Sequence, residues 1–191
     1  MSSQSRSVSR SGAEIRVVDA GPEHLATITV IYNEAVRNTT AVWNSQVVTQ
    51  EERRAWWQDH QRSGYPVLVA VSPGPDGEQV LGYASLSGWR ASFTGYRLTA
   101  EDSIYVAAEH RGRGAGRALA AALIERARSL GLHVIVAAIE AGNTASIRLH
   151  RSLGFERVAL MRQVGVKFGS WLDLALMQLT LDSRSLPPGR S

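Results

Sequence analysis

Ile104-Tyr105-Val106, followed by Arg111-Gly112-Arg113-Gly114-Ala115-Gly116, is the stretch that decides how this chain folds. An apolar run leads into a glycine-rich loop. The loop opens a pattern that puts Leu119, Ala122, Leu123, Ala127 and Leu130 on one face and stops at Gly131. That succession reads as strand, loop and helix N-terminus. Gly112, Gly114 and Gly116 let the backbone turn tightly with its N–H groups facing one point. The helix start adds unpaired donors and partial positive charge. Arg111, Arg113 and Arg117 add full charges. Such a place suits a phosphate or pyrophosphate.

The ligand class follows from what is absent around the glycines. A Walker loop ends in Gly-Lys-Ser/Thr, and none is here. The dinucleotide fingerprint requires glycine where Arg117 stands. The pattern that fits is R-x-x-G-x-G at Arg111, Gly114 and Gly116. It resembles the pyrophosphate loop of the GCN5-related N-acetyltransferases, which bind acetyl-CoA. Taken alone, the loop also reads as a glycine-rich turn carrying solvated arginines.

A length of 191 residues suits one domain with a sizeable core. Apolar content of 44% with 20% charged residues is ordinary for a globular chain. No apolar run is long enough for a membrane span. Residues 1–13 are rich in Ser and Arg but lack the apolar centre of a signal peptide. They and residues 183–191 read as disordered tails around a domain at 14–182. Cysteine is absent, which fits a reducing, cytoplasmic location and excludes disulfides and an acetyl-cysteine intermediate. The net charge is +4, yet Arg6, Arg10, Arg184 and Arg190 lie in the tails. No basic stripe remains, so neither nucleic acid nor membrane is expected as a partner, and no metal site is read.

The rest of the chain supplies the layers. Glu14–Val18 reads as a strand. Pro22 opens a helix with Leu25, Ile28, Tyr32, Ala35 and Val36 at helical spacing. Thr49 and Glu52 form a capping-box pattern before a second helix through Trp56 and Trp57. Strands are expected at Val67–Val71 and Leu81–Leu86, joined by a Pro/Gly/Asp turn, and again at Thr99–Val106. A helix over Gly114–Leu130, a strand over Val134–Ile139 and a helix over Asn143–Leu153 follow. Phe155–Gly165 and Leu172–Leu181 close the chain as strands. The order β-α-α-β-β-β-α-β-α-β-β makes an α/β fold, a central mixed sheet with helices on both faces.

The resemblance extends past the loop. Tyr32–Val36, Asn38–Trp43, Gly88–Ala91, Gly95–Arg97, Ser103–Val106, Asn143–His150 and Val164–Gly169 are similar to the acetyltransferase branch that holds the phosphinothricin and methionine sulfoximine/methionine sulfone acetyltransferases. It covers about residues 14–182, with the block from Gln163 to Leu174 nearer the methionine-sulfone members. The implied fold is that of the GNAT superfamily, in which two parallel strands splay apart and admit acetyl-CoA. The implied activity is direct acetyl transfer to the α-amine of a small amino acid or analogue. Two alternatives stand beside it: an acetyltransferase of protein N-termini or another amine, and a non-catalytic acyl-CoA sensor.

Acetyl transfer to an amine needs a base, a held thioester, stabilised oxyanion charge and a proton for the thiolate. Alternation on Thr99–Val106 sets Glu101, Ser103 and Tyr105 on one face, with Asp102 pointing the other way. The resemblance makes Glu101 the base. It implies cofactor contacts from the backbone of Tyr105, Val106 and Ala107, the N–H of Tyr105 being the expected holder of the thioester oxygen. The loop residues Arg111, Gly112, Arg113, Gly114, Ala115, Gly116 and Arg117, with Asn143 and Ser146, complete the cofactor set. Asn143 also sits where a helix cap would sit. His150 takes the place of a tyrosine that donates a proton in many acetyltransferases; it reads as that acid or as a packing residue. Arg90 and Arg97, with Trp89 and Tyr96 as walls, suit an α-carboxylate through paired guanidinium donors. Trp43, beside Thr39 and Thr40, resembles the segment lining the far side of that pocket. A homodimer is expected, with Val164–Trp171 near the partner chain.

Overall fold

The computed structural model describes residues 14–75 and 77–188. The expected N-terminal tail, residues 1–13, lies outside them, as do residues 189–191 of the expected C-terminal one. The strands are β1 (Arg16–Asp19), β2 (Val67–Gly74), β3 (Gly77–Gly88), β4 (Thr99–Val106), β5 (Val134–Glu140), β6 (Glu156–Lys167) and β7 (Ser170–Thr180). The helices are α1 (Leu25–Asn38), α2 (Gln50–Ser63), α3 (Ala115–Ser129) and α4 (Thr144–Ser152). Every element expected from the sequence is present in the expected order. The first strand starts two residues later than read, and Pro22 opens a 3-10 turn, Pro22–His24, that runs into α1.

The local signals explain the ends. Thr49 N–H donates to Glu52 Oε2 at 2.7 Å and Glu52 N–H to Thr49 Oγ1 at 3.1 Å, the reciprocal cap of α2. Gly131 at φ 70° and Gly154 at φ 93° follow the ends of α3 and α4, where the chain must leave the helix left-handed.

The seven strands form one sheet in the order β1-β2-β3-β4-β5-β7-β6. All neighbours are antiparallel except β4 and β5, which a helical crossover joins in parallel. Both faces are covered. On one, Leu119, Leu123 and Ile124 of α3 pack on Leu68, Leu86 and Ile135. On the other, Leu25, Ile28 and Ile31 of α1 pack on Val67, Val69, Val71 and Tyr83. β2 alternates its side chains between the two cores, which is why it reads as an unbroken apolar run. A fully buried leucine such as Leu119 contributes about 1.5–3 kcal/mol by leaving water.

Candidate active site

β4 and β5 pair only where Thr99–Glu101 meet Val134–Val136. Beyond Glu101 they part, while β4 stays paired to β3 and β5 to β7. An open seam results. Ala107 N–H donates to Leu81 at 3.0 Å, so the antiparallel alternation turns the backbone groups of Tyr105 and Ser103 toward β3 as well. Those of Ile104 and Val106 face the seam, and the Val106 carbonyl accepts from Arg111 Nε at 3.2 Å. This corrects the expectation for Tyr105 and Ala107: their N–H groups complete the β3–β4 ladder. The N–H groups facing the seam are those of Ile104 and Val106.

A cleft of about 800 Å³ runs along the seam. Of the expected cofactor residues, Tyr105, Val106, Arg111, Gly112, Gly114, Gly116, Arg117, Asn143 and Ser146 line it. Ala107, Arg113 and Ala115 do not; Ala115 is buried in the α3 core. Gly112 at φ 74° and Gly114 at φ 97° make the turn that only glycine takes without strain. α3 has no side-chain cap, and its first backbone bond runs from Ala118 N–H to Gly114. The N–H groups of Ala115, Gly116 and Arg117 therefore lack intrahelical acceptors, as an anion-binding helix start requires. Arg117 donates to Ser152 Oγ at 2.8 Å, and Arg111 lies 3.8 Å from Glu34. Asn143 caps α4, its Oδ1 accepting from Ser146 N–H at 3.1 Å, and lines the cleft at the same time.

A second cavity of about 370 Å³ adjoins the cleft, sharing Ile104, Tyr105, Glu140, Asn143 and Ser146 with it. Its wall includes the consecutive residues Glu101 to Tyr105. Neighbours on an intact strand point to opposite faces; at the seam the cavity passes through the sheet and meets both. Glu101 is half-buried, and burial first, then the charge of Asp102, hold its carboxyl above the ordinary glutamate range. Burial pushes Tyr105 up to about 12. Its ring stacks on Tyr83 at 5.2 Å and meets the edge of Tyr32 at 6.0 Å. Behind these rings Arg53 is buried, its guanidinium 4.1 Å from the Tyr32 ring centre and 4.5 Å from that of Trp56.

Asp102 does point to the other face, and there it meets His150. His150 Nε2 lies 3.0 Å from Asp102 Oδ2, and its Nδ1 lies 2.8 Å from the Ser146 carbonyl oxygen. Burial pulls the imidazole down, but the bond and charge of Asp102 with the Ser146 carbonyl outweigh it, so the ring stays protonated above the ordinary histidine range. Both ring nitrogens have partners in this arrangement, which suits the packing reading of His150 as well as that of a proton donor. Glu140 completes the acidic wall; Thr40 Oγ1 donates to its Oε2 at 3.1 Å and Gly142 N–H to its Oε1 at 2.7 Å.

Trp43 does line this cavity. Its indole N–H donates to the Thr40 carbonyl at 3.0 Å, and its ring covers Gly165. Lys167, buried at the end of β6, donates to the Val42 carbonyl, and burial lowers its amine below the ordinary lysine range. β6 reaches this position through a bulge between Met161 and Gly165, with Gln163 at φ 54° and its N–H on Asp173 Oδ1 at 2.8 Å. The sequence ranks Asp102 as a weaker candidate than Glu101 and does not point to Glu140, Gly165 and Lys167 as site residues. A small residue and a lone lysine in an apolar strand were the only signals for the last two.

Arg90, Arg97 and Trp89 do not line the cavity. Arg90, at φ 46°, lies over Phe93 at 5.4 Å and Tyr96 at 5.8 Å. Arg97 donates to the Pro188 carbonyl at 3.2 Å. Their loop joins β3 to β4 where Ser87 pairs with Glu101 and Gly88 with Ala100, so it lies beside Glu101. Among the described residues no cluster suits a metal ion, and no helix is long and apolar enough to cross a membrane.

Residues 28–155 match the model of the Acetyltransferase (GNAT) family. The chain is 57% identical over 170 residues, covering 88% of itself and 96% of the relative, to an L-methionine sulfoximine/L-methionine sulfone acetyltransferase of Pseudomonas aeruginosa. It is 37% identical, over 85% of itself and 94% of the relative, to a phosphinothricin N-acetyltransferase of Streptomyces coelicolor. A Salmonella typhimurium acetyltransferase solved with its cofactor acetyl-CoA superposes with a TM-score of 0.87 at 49% identity, covering 93% of this chain and 100% of that one.

Proposed function

The chain belongs to the acetyltransferase (GNAT) family, and from that premise we propose that it acetylates the α-amine of a small amino acid or analogue directly from acetyl-CoA. Methionine sulfoximine and methionine sulfone are the first acceptors to try, with phosphinothricin next, in the order of the relatives' similarity. The observation that carries the reading is one cavity joining an up-shifted carboxylate to a glycine-loop cleft through the β4–β5 seam. The uncapped start of α3 and Arg111 and Arg117 suit the cofactor's phosphates, and the seam suits its arm. When bound, acetyl-CoA supplies the thioester carbonyl.

The chain's own residues do the rest. Glu101, Asp102 and Glu140 make the cavity acidic, so it draws in an ammonium. Glu101 then takes the ammonium proton, for which a raised pKa near the working pH is the useful state. The free N–H groups of Ile104 and Val106 are the backbone donors available to a thioester oxygen. Amide formation releases a second proton from the nitrogen, which solvent or Glu101 can accept, and protonated Glu101 or solvent is the available donor to the departing sulfur. An α-carboxylate is repelled by this acidic wall and belongs at the mouth, where Arg90 and Arg97 can turn to it.

We further propose a cytoplasmic homodimer. Val164, Val166 and Trp171 are 46%, 57% and 67% exposed on the β6–β7 hairpin at an edge of the sheet, Val166 and Trp171 being paired across it, and Phe168 at the turn is 61% exposed beside the cleft. Light scattering should give a dimer mass that Trp171→Asp reduces to a monomer; a native monomer at micromolar concentration refutes the dimer. The function is tested by an acetyl-CoA-dependent thiol-release screen against free amino acids, the three analogues and short peptides. Turnover of peptides alone would transfer the reading to protein N-termini, and no turnover with any amine would leave a sensor.

A further inference from the structure

We propose that Asp102 is a positioning residue for acetyl transfer, clamping His150 as a doubly protonated imidazolium across the β4–β5 seam and so locking α4 beside the base. The proposal rests on the reading of Glu101 as that base.

The geometry carries it. Asp102 and His150 are 48 positions apart, and their side chains are only 6% and 4% exposed. Both nitrogens of the ring face acceptors, Nε2 the Asp102 carboxylate at 3.0 Å and Nδ1 the Ser146 carbonyl at 2.8 Å, with the Ser146 hydroxyl farther from Nδ1 at 3.3 Å. A neutral imidazole has one N–H and one lone pair, so it would set a lone pair against one of these oxygens. The imidazolium satisfies both. Phe155 stands edge-on to the ring, 4.9 Å between centres, and closes its remaining side.

The groups facing the pair agree. Around the cavity stand Glu101, Asp102 and Tyr105 from β4, Tyr32 from α1, Glu140 from β5 and His150 from α4. No lysine or arginine lines it among the described residues. Burying a carboxylate without a partner is unfavourable. Glu140 has its donors in Thr40 and Gly142, and among the lining groups His150 is the one that can carry positive charge to Asp102. The link also has a mechanical result. β4 and β5 have no ladder here, so the bond joins α4 to β4 at the level where backbone pairing ends. Asn143, the cap of α4, and Ser146, in its first turn, line both cavities. Their position relative to Glu101 therefore depends on this bond.

The test reads the pair without activity first. In ¹⁵N-histidine NMR of the native chain, His150 should show both ring nitrogens protonated at neutral pH and titrate above ordinary histidine. Asp102→Asn should return it to the neutral form. A nonprotonated ring nitrogen in the native chain, or an unchanged titration in the variant, overturns the proposal. In steady-state assays, Asp102→Asn should lower kcat about tenfold or more, and the double variant with His150→Gln should lose no more than either single one. In His150→Gln, which leaves the Asp102 charge unpaired beside Glu101, the acid limb of the kcat/KM profile should move to higher pH. Fully additive losses with an unmoved limb would also overturn the proposal. Glu101→Gln separates the two readings: full turnover there removes the base assignment and leaves the NMR result standing.

Discussion

Gly165→Ala tests whether Trp43 is the wall of the acceptor cavity. A Cβ added at Gly165 would lie 2.2 Å from Trp43 Cζ3 and 2.3 Å from Cε3. Carbon atoms attract best near 3.5 Å, so the ring must withdraw by about 1.3 Å. It cannot do so alone. Its indole N–H is held by the Thr40 carbonyl, and Lys167 holds Val42 next to it. The backbone of β6 is itself paired to β7 at Gly165–Leu172 and Val166–Trp171. The strain falls on segment 41–44, which lines the cavity beside Glu101. Overpacking of this kind costs about 1–3 kcal/mol, or several degrees of Tm for a chain of this size. Thiol-release assays varying each substrate should show the acceptor KM rising by about tenfold, the equivalent of roughly 1.4 kcal/mol, with the acetyl-CoA KM nearly unchanged. Adding Trp43→Phe, which removes the colliding ring edge, should recover most of the Tm and not the KM. A lowered Tm with an unchanged acceptor KM would refute the argument, since Trp43 would then be a packing residue only.

Gly114→Val should abolish the rise in Tm that acetyl-CoA gives the native chain, because valine at φ 97° is strained and would distort the loop that lines the cleft; a preserved shift would remove the loop from the site. Glu101→Gln should leave acetyl-CoA binding intact by calorimetry and lower kcat by about a hundred- to ten-thousand-fold. In the native chain kcat/KM should fall as pH drops through the raised Glu101 pKa, above the ordinary glutamate range, and the variant should lack that limb. Arg97→Ala should raise the amino-acid KM by roughly ten- to a hundredfold, as the loss of a charge-assisted bond to carboxylate implies, and methyl esters should be poor acceptors of the native enzyme; equal rates for esters and acids would exclude the clamp. His150 has a raised folded pKa, so its added stability is present below the ordinary histidine range and lost as pH rises through the folded value. Denaturant titrations should therefore separate native chain and Asp102→Asn most at mildly acidic pH and least at alkaline pH.

What could be read from the sequence is what depends on neighbours along the chain. The glycine loop, the Asn143 cap, the Thr49–Glu52 box and the element order all rest on spacings of a few residues. The position of Glu101 beside the seam followed from its place at the start of the strand that feeds the loop. The pairings that shape the acceptor side join residues far apart: Lys167 with Val42, Thr40 with Glu140, Gly165 with Trp43. They depend on the register of β6 on β7 and on the bulge before Gly165, and no local pattern states either.

Asp102 was set aside for a more instructive reason. The two-residue alternation of a strand correctly sends it away from Glu101, and in a closed sheet that would place the two carboxylates in different environments. Here β5 leaves β4 at Glu101, so nothing separates the faces beyond that point. The opening that suits a cofactor arm therefore also exposes Glu101 and Asp102 to one cavity, where the charge of the second raises the pKa of the first. An unpaired Asp102 would disfavour ionisation of Glu101 more strongly and leave a buried anion. Bonded to His150, it is compensated, and its opposition to the ionisation of Glu101 is reduced. Splayed strands thus make the charge state of α4 part of the base's environment, a coupling that alternation along β4 alone cannot reveal.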